Sequence, residues 1–452
     1  MSGLKKPELL APAGNPEKLE IAYAYGADAA YIGGEVFSLR AGAGNFSMEE
    51  MAAGVRLAHS LGKRLYVAAN IFAHNRDLDR LPEFLQFVEE IGVDGLIVSD
   101  PGVIAVARRV VPSLPLHLST QANCTNKESA LFWEGQGLER IILARELSLE
   151  EIREIRDTVS LELEVFVHGA MCVSYSGRCL LSSFLTGRSA NRGDCSHPCR
   201  WKYHLVEGKR PGEYFPVFED DRGTYILNAN DLSMIEHIPE LIAAGVNSFK
   251  IEGRMKSVYY VATVVKAYRE AIDAWAEDPE NWVFREKWLE ELGKASHRTF
   301  STGFFFGKPG SEDQNYIDSG YIRTHDFVGK VLEYFPREKI AQGDVPLLTE
   351  GITLEGANSE ITQQVPTGST ESEKKLEFQK GSGWALVEQR NKFCVGDTLE
   401  VFGPGEDSFS LRVEEIRDLE GNSIDSTPHP KQQVLIPVGK PVAKNYLLRK
   451  PS

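Results

Sequence analysis

The 452-residue chain lacks any apolar run approaching the roughly 20 residues of a membrane span, so no membrane partner is expected. No secretion signal is expected from its opening residues: Lys5 and Lys6 stand near the start, but no apolar stretch follows them. Basic residues are in deficit. Fifty Lys and Arg face 65 Asp and Glu, a formal charge of −15, which excludes a protein that coats nucleic acid over its whole surface but leaves room for a local basic site. Cysteine is scarce, at six residues. Without a secretion signal a cytoplasmic, reducing location is expected, and clustered cysteines there are metal sites more often than disulfides. Two hydrolase signatures are missing, since there is no His-Glu-x-x-His run and no Gly-x-Ser-x-Gly turn. What remains is an ordinary globular composition, 42% hydrophobic and 25% charged, with length for two or three domains.

Short apolar runs alternate with amphipathic helical patterns through the first 300 residues. Eight runs read as strands: 9–11, 29–32, 65–68, 96–98, 116–118, 141–143, 161–167 and 249–251. Helix starts lie between them. Asn15 and Pro16 supply a cap and a first-turn proline, and Ser47 with Glu50 and Ser148 with Glu151 have the spacing of capping boxes. Alternation at this period favours parallel βα units. Eight units predict an α/β fold, a (β/α)8 TIM-like barrel over residues 1–300, with a doubly wound open sheet as the alternative. The interval of about 168–248 is too long for one crossover and predicts an insertion after the seventh strand. A long helix over about 258–276 follows the last strand, with Val261, Val264, Val265, Tyr268, Ile272 and Trp275 on its apolar face. Residues 301–325 read as a linker. From 326 to 452, short strands at 327–331, 384–387, 398–401 and 434–436 lie between Gly, Pro and Asp turns. They predict a small β-barrel domain, with the polar stretch 358–375 as a mobile loop inside it.

The insertion contains Cys172, Cys179, Cys195 and Cys199, separated by six, fifteen and three residues. Structural zinc sites usually show tighter pairs. The wide first spacing, with Gly169, Gly177 and Gly193 nearby, suits an irregular loop around a bulkier iron–sulfur cluster, with zinc and free or catalytic thiols as the alternatives. Cys124 and Cys394 are isolated and read as small buried side chains.

The stretch Glu164-Val165-Phe166-Val167-His168-Gly169-Ala170-Met171-Cys172, with Gly177-Arg178-Cys179 and Ser182, resembles the signature of the collagenase-like peptidases, unassigned-type peptidase family thirty-two. Residues 9–14 and 27–33 are also similar to that family. Residues 193–201, Ser296-His297-Arg298 and residues 387–397 resemble one branch of it, the prephenate-dependent hydroxylases that make 5-hydroxyuridine at the tRNA wobble position. The resemblance implies a barrel, a 4Fe-4S cluster on Cys172, Cys179, Cys195 and Cys199, prephenate as co-substrate, the tRNA anticodon loop as partner, and a terminal β-barrel. The separate, turn-rich pattern of that appended domain leads us to expect that it helps to hold the RNA. Sibling hydroxylases of quinone synthesis share the core but usually lack that domain. A peptidase is the other alternative. It needs an activated nucleophile, and a pairing of His168 with Cys172 would leave three further cysteines unexplained.

Charge supports an RNA site. From Arg178 to Arg210 seven basic residues face two acidic ones, and His197, Trp201, Tyr203 and His204 are interleaved. Cations beside aromatics suit the phosphates and unstacked bases of an RNA loop, and also suit a solvated loop balancing its own charge. Polar residues gather at the predicted strand ends, the catalytic face of such a barrel. The candidate catalytic residues are His168, Arg145, Lys250 and Glu252. The candidate substrate-binding residues are Asn70, Gln121, Asn123, Arg145, Arg254 and Trp201, with Arg145, Lys250 and Arg254 suited to the carboxylates of a small dicarboxylate donor. A structural reading, in which Glu252 simply pairs with Arg254, stands beside this one.

Overall fold

The computed structural model describes residues 5–35, 37–38, 45–171, 177–188, 195–196, 198, 228–308, 314–315, 321–336 and 383–452. Cys172, Cys199, Trp201 and the stretch 358–375 lie outside these residues. The chain divides into two compact units, Met1–Thr324 and His325–Ser452.

In the first unit β1 (Glu8–Pro12), β2 (Ala29–Gly33), β3 (Arg64–Ala69), β4 (Gly95–Val98), β5 (Leu116–Leu118), β6 (Arg140–Ile142) and β7 (Glu162–Ala170) pair in parallel, in sequence order. The eighth strand, β8 (Ser248–Ile251), pairs in parallel with both β7 and β1 and closes the ring. The fold is therefore the barrel and not the open sheet. Both faces of each strand are covered, so the strands appear in the sequence as continuous apolar runs and not as an alternation. The helix starts form as the sequence predicts. Asn15 accepts from the Lys18 amide, and both capping boxes close. The long helix runs Val258–Glu277 with Ser257 as its cap.

Within the expected insertion, a short strand Asp231–Ser233 runs antiparallel to the end of β7 and parallel to Phe300–Ser301. The described part of 301–325 is not a free connector. Phe300 and Ser301 lie in the sheet, Ile322 bridges His297, and the Tyr321 ring receives Lys256 and Arg298. Among the described residues, no helix is long and apolar enough to cross a membrane.

The barrel interior is ionic on the N-terminal side. Arg140 Nη1 donates to Glu8 at 2.6 Å and to Glu164 at 3.0 Å, and its Nε donates to Glu162 at 2.9 Å. Lys250 Nζ donates to the other Glu164 oxygen at 2.7 Å, and Tyr66 and Ser248 donate to Glu8. Burial opposes the Glu8 carboxylate, but the Arg140 charge and the hydrogen bonds from Arg140, Tyr66 and Ser248 together hold its pKa below the ordinary value. Such a network adds little net stability while complete, because desolvation offsets attraction, but breaking it strands a buried charge. Arg140→Met would leave Glu8 and the fully buried Glu164 facing each other without their shared cation. Denaturant unfolding is expected to show a loss of about 3–5 kcal/mol for this variant.

The second unit is a six-stranded antiparallel sheet. Its strands are β9 (His325–Pro336), β10 (Gly383–Gln389), β11 (Thr398–Phe402), β12 (Phe409–Arg412), β13 (Gln433–Val438) and β14 (Leu447–Pro451), in the order β12-β11-β14-β9-β10-β13. Val328, Val387, Phe393, Val401, Ile416 and Ile436 belong to its own apolar core. A buried Arg449 donates to Glu400 at 3.0 Å across that sheet.

Candidate active site at the barrel mouth

Most of the sequence candidates follow strand ends, at the C-terminal face of the barrel. Asn70 comes directly after β3 and donates to Ser119 Oγ at 3.1 Å, while its carbonyl accepts from Ser99 Oγ at 2.9 Å. Gln121 lies in a short turn after β5, its amide bonded to Ser119 Oγ at 3.3 Å. Asn123 ends that turn in the left-handed region, at φ +55°, a conformation its short amide tolerates. Its Oδ1 is shielded from solvent and has no hydrogen-bond partner among the described residues.

Arg145 follows β6. Its guanidinium carbon lies 3.8 Å from the centre of the Phe166 ring, and its Nη2 stands 3.8 Å from Glu252 Oε2. That separation is an ion pair too long for a hydrogen bond. Its Nε is buried with no hydrogen-bond partner among the described residues. A nearly buried cation, stacked on a ring and loosely paired, can accept a carboxylate bidentately. Arg254 is buried and donates from Nη1 to Ser38 Oγ at 2.8 Å.

Two candidate catalytic residues take different places. Lys250 was expected to face a dicarboxylate, but its ammonium is buried, bonded to Glu164 and set 4.4 Å above the Tyr31 ring. Burial lowers its pKa, and the Glu164 charge and hydrogen bond offset that only in part. It belongs to the interior ion network. His168 is packed among the rings of Tyr260, Tyr268 and Phe300, with centroids 5.4–6.0 Å away. Burial, reinforced by Lys256 and His297, lowers its pKa to about 3. The imidazole is neutral in the folded protein and is no proton donor near neutrality.

The buried His168 has a consequence for stability. The folded ring takes a proton only near pH 3, whereas the unfolded side chain takes one near 6.5. Between these values the unfolded state binds more protons, so stability falls as pH drops from about 6.5 toward 3. His168→Phe keeps an aromatic ring in an aromatic setting. Thermal melts from pH 7 to 4 are expected to show a shallower acid loss for this variant than for the wild type.

The cysteine loop meets the mouth at two glycines. Gly169 has φ +108°, and a Cβ there would lie 2.8 Å from the Glu252 carbonyl oxygen. Gly177 has φ +76°, and a Cβ there would lie 2.2 Å from the Gln121 carbonyl oxygen. Only glycine fits either position. The segment from Gly169 to Gly177 thus starts against the residue after β8 and returns against the turn after β5. Beyond it, Cys179 precedes a short helix, Leu181–Thr186, whose buried Ser182 holds Ser196. The Ser196 amide donates to Ser182 Oγ at 3.0 Å, and the Ser196 hydroxyl meets those of Ser182 at 3.0 Å and Thr186 at 2.9 Å. Two thiols sixteen positions apart, Cys179 and Cys195, are thereby drawn toward one region. Both are half-buried. Cys124 is different: burial raises its thiol pKa to about 11, which leaves it inert. Cys394, expected buried, is only half-buried. The glycine seats and the serine hub escaped the sequence reading, although Gly169 and Gly177 flanking Cys172 were a visible signal.

Comparison with known proteins bears on both units. Residues 14–315 match the model for peptidase family U32, and residues 374–449 match that for the peptidase family U32 C-terminal domain. A relative in Bacillus subtilis, named tRNA hydroxylation protein P1, is 43% identical over 99% of this chain and 95% of its own. Another in Escherichia coli, named tRNA hydroxylation protein P, is 37% identical over 98% of this chain and 96% of its own. A third, the 23S rRNA 5-hydroxycytidine C2501 synthase of Escherichia coli, is 39% identical over 60% of this chain and 40% of its own. With one family model matched over residues 14–315 and a second over residues 374–449, the chain belongs to peptidase family U32.

Proposed function

We propose that this protein hydroxylates tRNA, forming 5-hydroxyuridine at the wobble position with prephenate as oxygen donor and an iron–sulfur cluster as cofactor. The observation that carries the reading is the match, over nearly the whole chain and both units, to relatives named for tRNA hydroxylation. A relative named as an rRNA 5-hydroxycytidine synthase matches 60% of this chain, which supports hydroxylation of RNA as the shared chemistry. The peptidase alternative gains no support at His168, which among the described residues is surrounded by the rings of Tyr260, Tyr268 and Phe300.

Cys172, Cys179, Cys195 and Cys199 would hold the cluster. What supports the fit is the chemistry of four thiols on one segment and the serine hub, which ties the residue after Cys195 to the helix that follows Cys179, beyond the Gly177 seat against Gln121. Bound there, the cluster supplies electron handling, which side chains lack. The chain's own residues do the rest. Arg145 holds a donor carboxylate over Phe166, Glu252 balances the guanidinium before the donor arrives, and Gln121 and Asn123 offer amides to a ring or base. A wobble base lies in a single-stranded loop and can be splayed out without melting a duplex. The second unit, with its own core, helps to hold the RNA. A chain ending at Thr324 is expected to bind tRNA several-fold more weakly in filter binding, and unchanged affinity in a folded truncation would refute that role.

The test of the function is mass spectrometry of tRNA nucleosides from a strain deleted for this gene and for any second enzyme of its kind. Loss of 5-hydroxyuridine and its derivatives is expected. Persistence of the modification would overturn the assignment.

A further inference from the structure

The helix Leu181–Thr186 is amphipathic with its faces reversed. Ser182 is fully buried, whereas Phe184 is 86% exposed, Leu180 68% and Leu185 41%. Leaving a phenyl ring in water forgoes about 1.5–3 kcal/mol of burial. The serine hub explains the inward face, since Ser182 must hold Ser196. It does not explain why the outward face is apolar, when a helix serving only as a clamp would present polar residues there.

The surroundings point to an occupant. Arg178 and Arg188 are exposed at either end of the helix. They open a segment that carries five net positive charges in a protein whose overall charge is −15. Phe184 is five residues from Cys179. An aromatic ring flanked by arginines matches an unstacked base flanked by phosphates, whereas an apolar protein surface has no need of the cations.

Building on the tRNA reading above, we propose that Phe184 is the platform on which an unstacked base of the substrate RNA stacks, with Arg178 and Arg188 meeting the adjoining phosphates. Stacking tolerates any base, so this contact contributes affinity and placement while the barrel mouth selects the target. Phe184 is a positioning residue in this scheme, and the serine hub fixes its place relative to Cys179 and Cys195.

The experiment is filter binding of an unmodified tRNA transcript with a wobble uridine to the full chain purified without oxygen, together with iron assays of each variant. Phe184→Ala is expected to weaken binding by about 5- to 150-fold, the range for loss of one base–aromatic stack. Phe184→Trp should stay near the wild type, because it keeps a π-face. Phe184→Leu should resemble Phe184→Ala, because it keeps the apolar character and loses the ring. Iron content should be unchanged in all three. Wild-type affinity in Phe184→Ala would overturn the proposal, and so would wild-type affinity in Phe184→Leu, which would mark a plain apolar contact. If the wild-type chain itself fails to bind tRNA, the functional reading falls first and takes this proposal with it, which distinguishes the two failures.

Discussion

Arg145→Ala is expected to abolish tRNA hydroxylation in a complemented deletion strain while the purified variant keeps its iron. The guanidinium is held in place without being committed. Its central carbon lies 3.8 Å above the Phe166 ring centre, Glu252 stands at 3.8 Å, and Nε has no hydrogen-bond partner among the described residues. An arriving carboxylate therefore finds a desolvated cation with donors to offer. Alanine removes two charge-assisted hydrogen bonds, each worth about 1.5–3 kcal/mol, so kcat/KM should fall on the order of 10² or more. Arg145→Lys should restore only part of the loss, since an ammonium cannot form the two-pronged contact. Iron should stay because, among the described residues, Arg145 reaches Phe166 and Glu252. Loss of iron together with activity would make Arg145 structural. Normal modification in the variant would remove it from the donor site.

Why the place of Arg145 beyond a strand end was legible in the sequence and the buried place of Lys250 was not is a matter of register. Both are basic residues near the end of an apolar run. Arg145 lies three residues beyond β6, past the last rung. Lys250 lies inside β8, and its partner Glu164 is 86 positions away on β7. One strand's pattern does not reveal what closes against it across a barrel. His168 misled for the same reason, because the rings around it come from the helix Val258–Glu277 and the strand Phe300–Ser301. The eight strands themselves were plain, since a parallel strand covered on both faces is written as an unbroken apolar run. In the second unit, β12 and β14 escaped. β12 has only four residues, and β14 buries Arg449 against Glu400, which reads as a surface charge until the sheet is folded.

The cysteines give the second large effect. Cys172→Ser, Cys179→Ser, Cys195→Ser and Cys199→Ser are each expected to lose most of the iron, whereas Cys124→Ser and Cys394→Ser should keep about four irons per chain. The contrast follows from environment. Cys124 is buried, with its thiol pKa raised to about 11, and Cys394 belongs to the other unit. Cys179 and Cys195 are half-buried and stand close in sequence to the two ends of the serine hub. Geometry offers a test that leaves every thiol in place. In Gly177→Ala the new methyl would meet the Gln121 carbonyl oxygen at 2.2 Å from a backbone already at φ +76°, so the segment must leave its seat. Iron and acid-labile sulfide in that variant should drop by more than half, with all four thiols still titratable after denaturation. A brown colour in the anaerobic wild type and its loss in Gly177→Ala would tie the cluster to the barrel mouth. Colourless wild-type protein with one zinc per chain would replace the cluster with a structural metal, and the electron handling proposed for the site would have to be sought elsewhere.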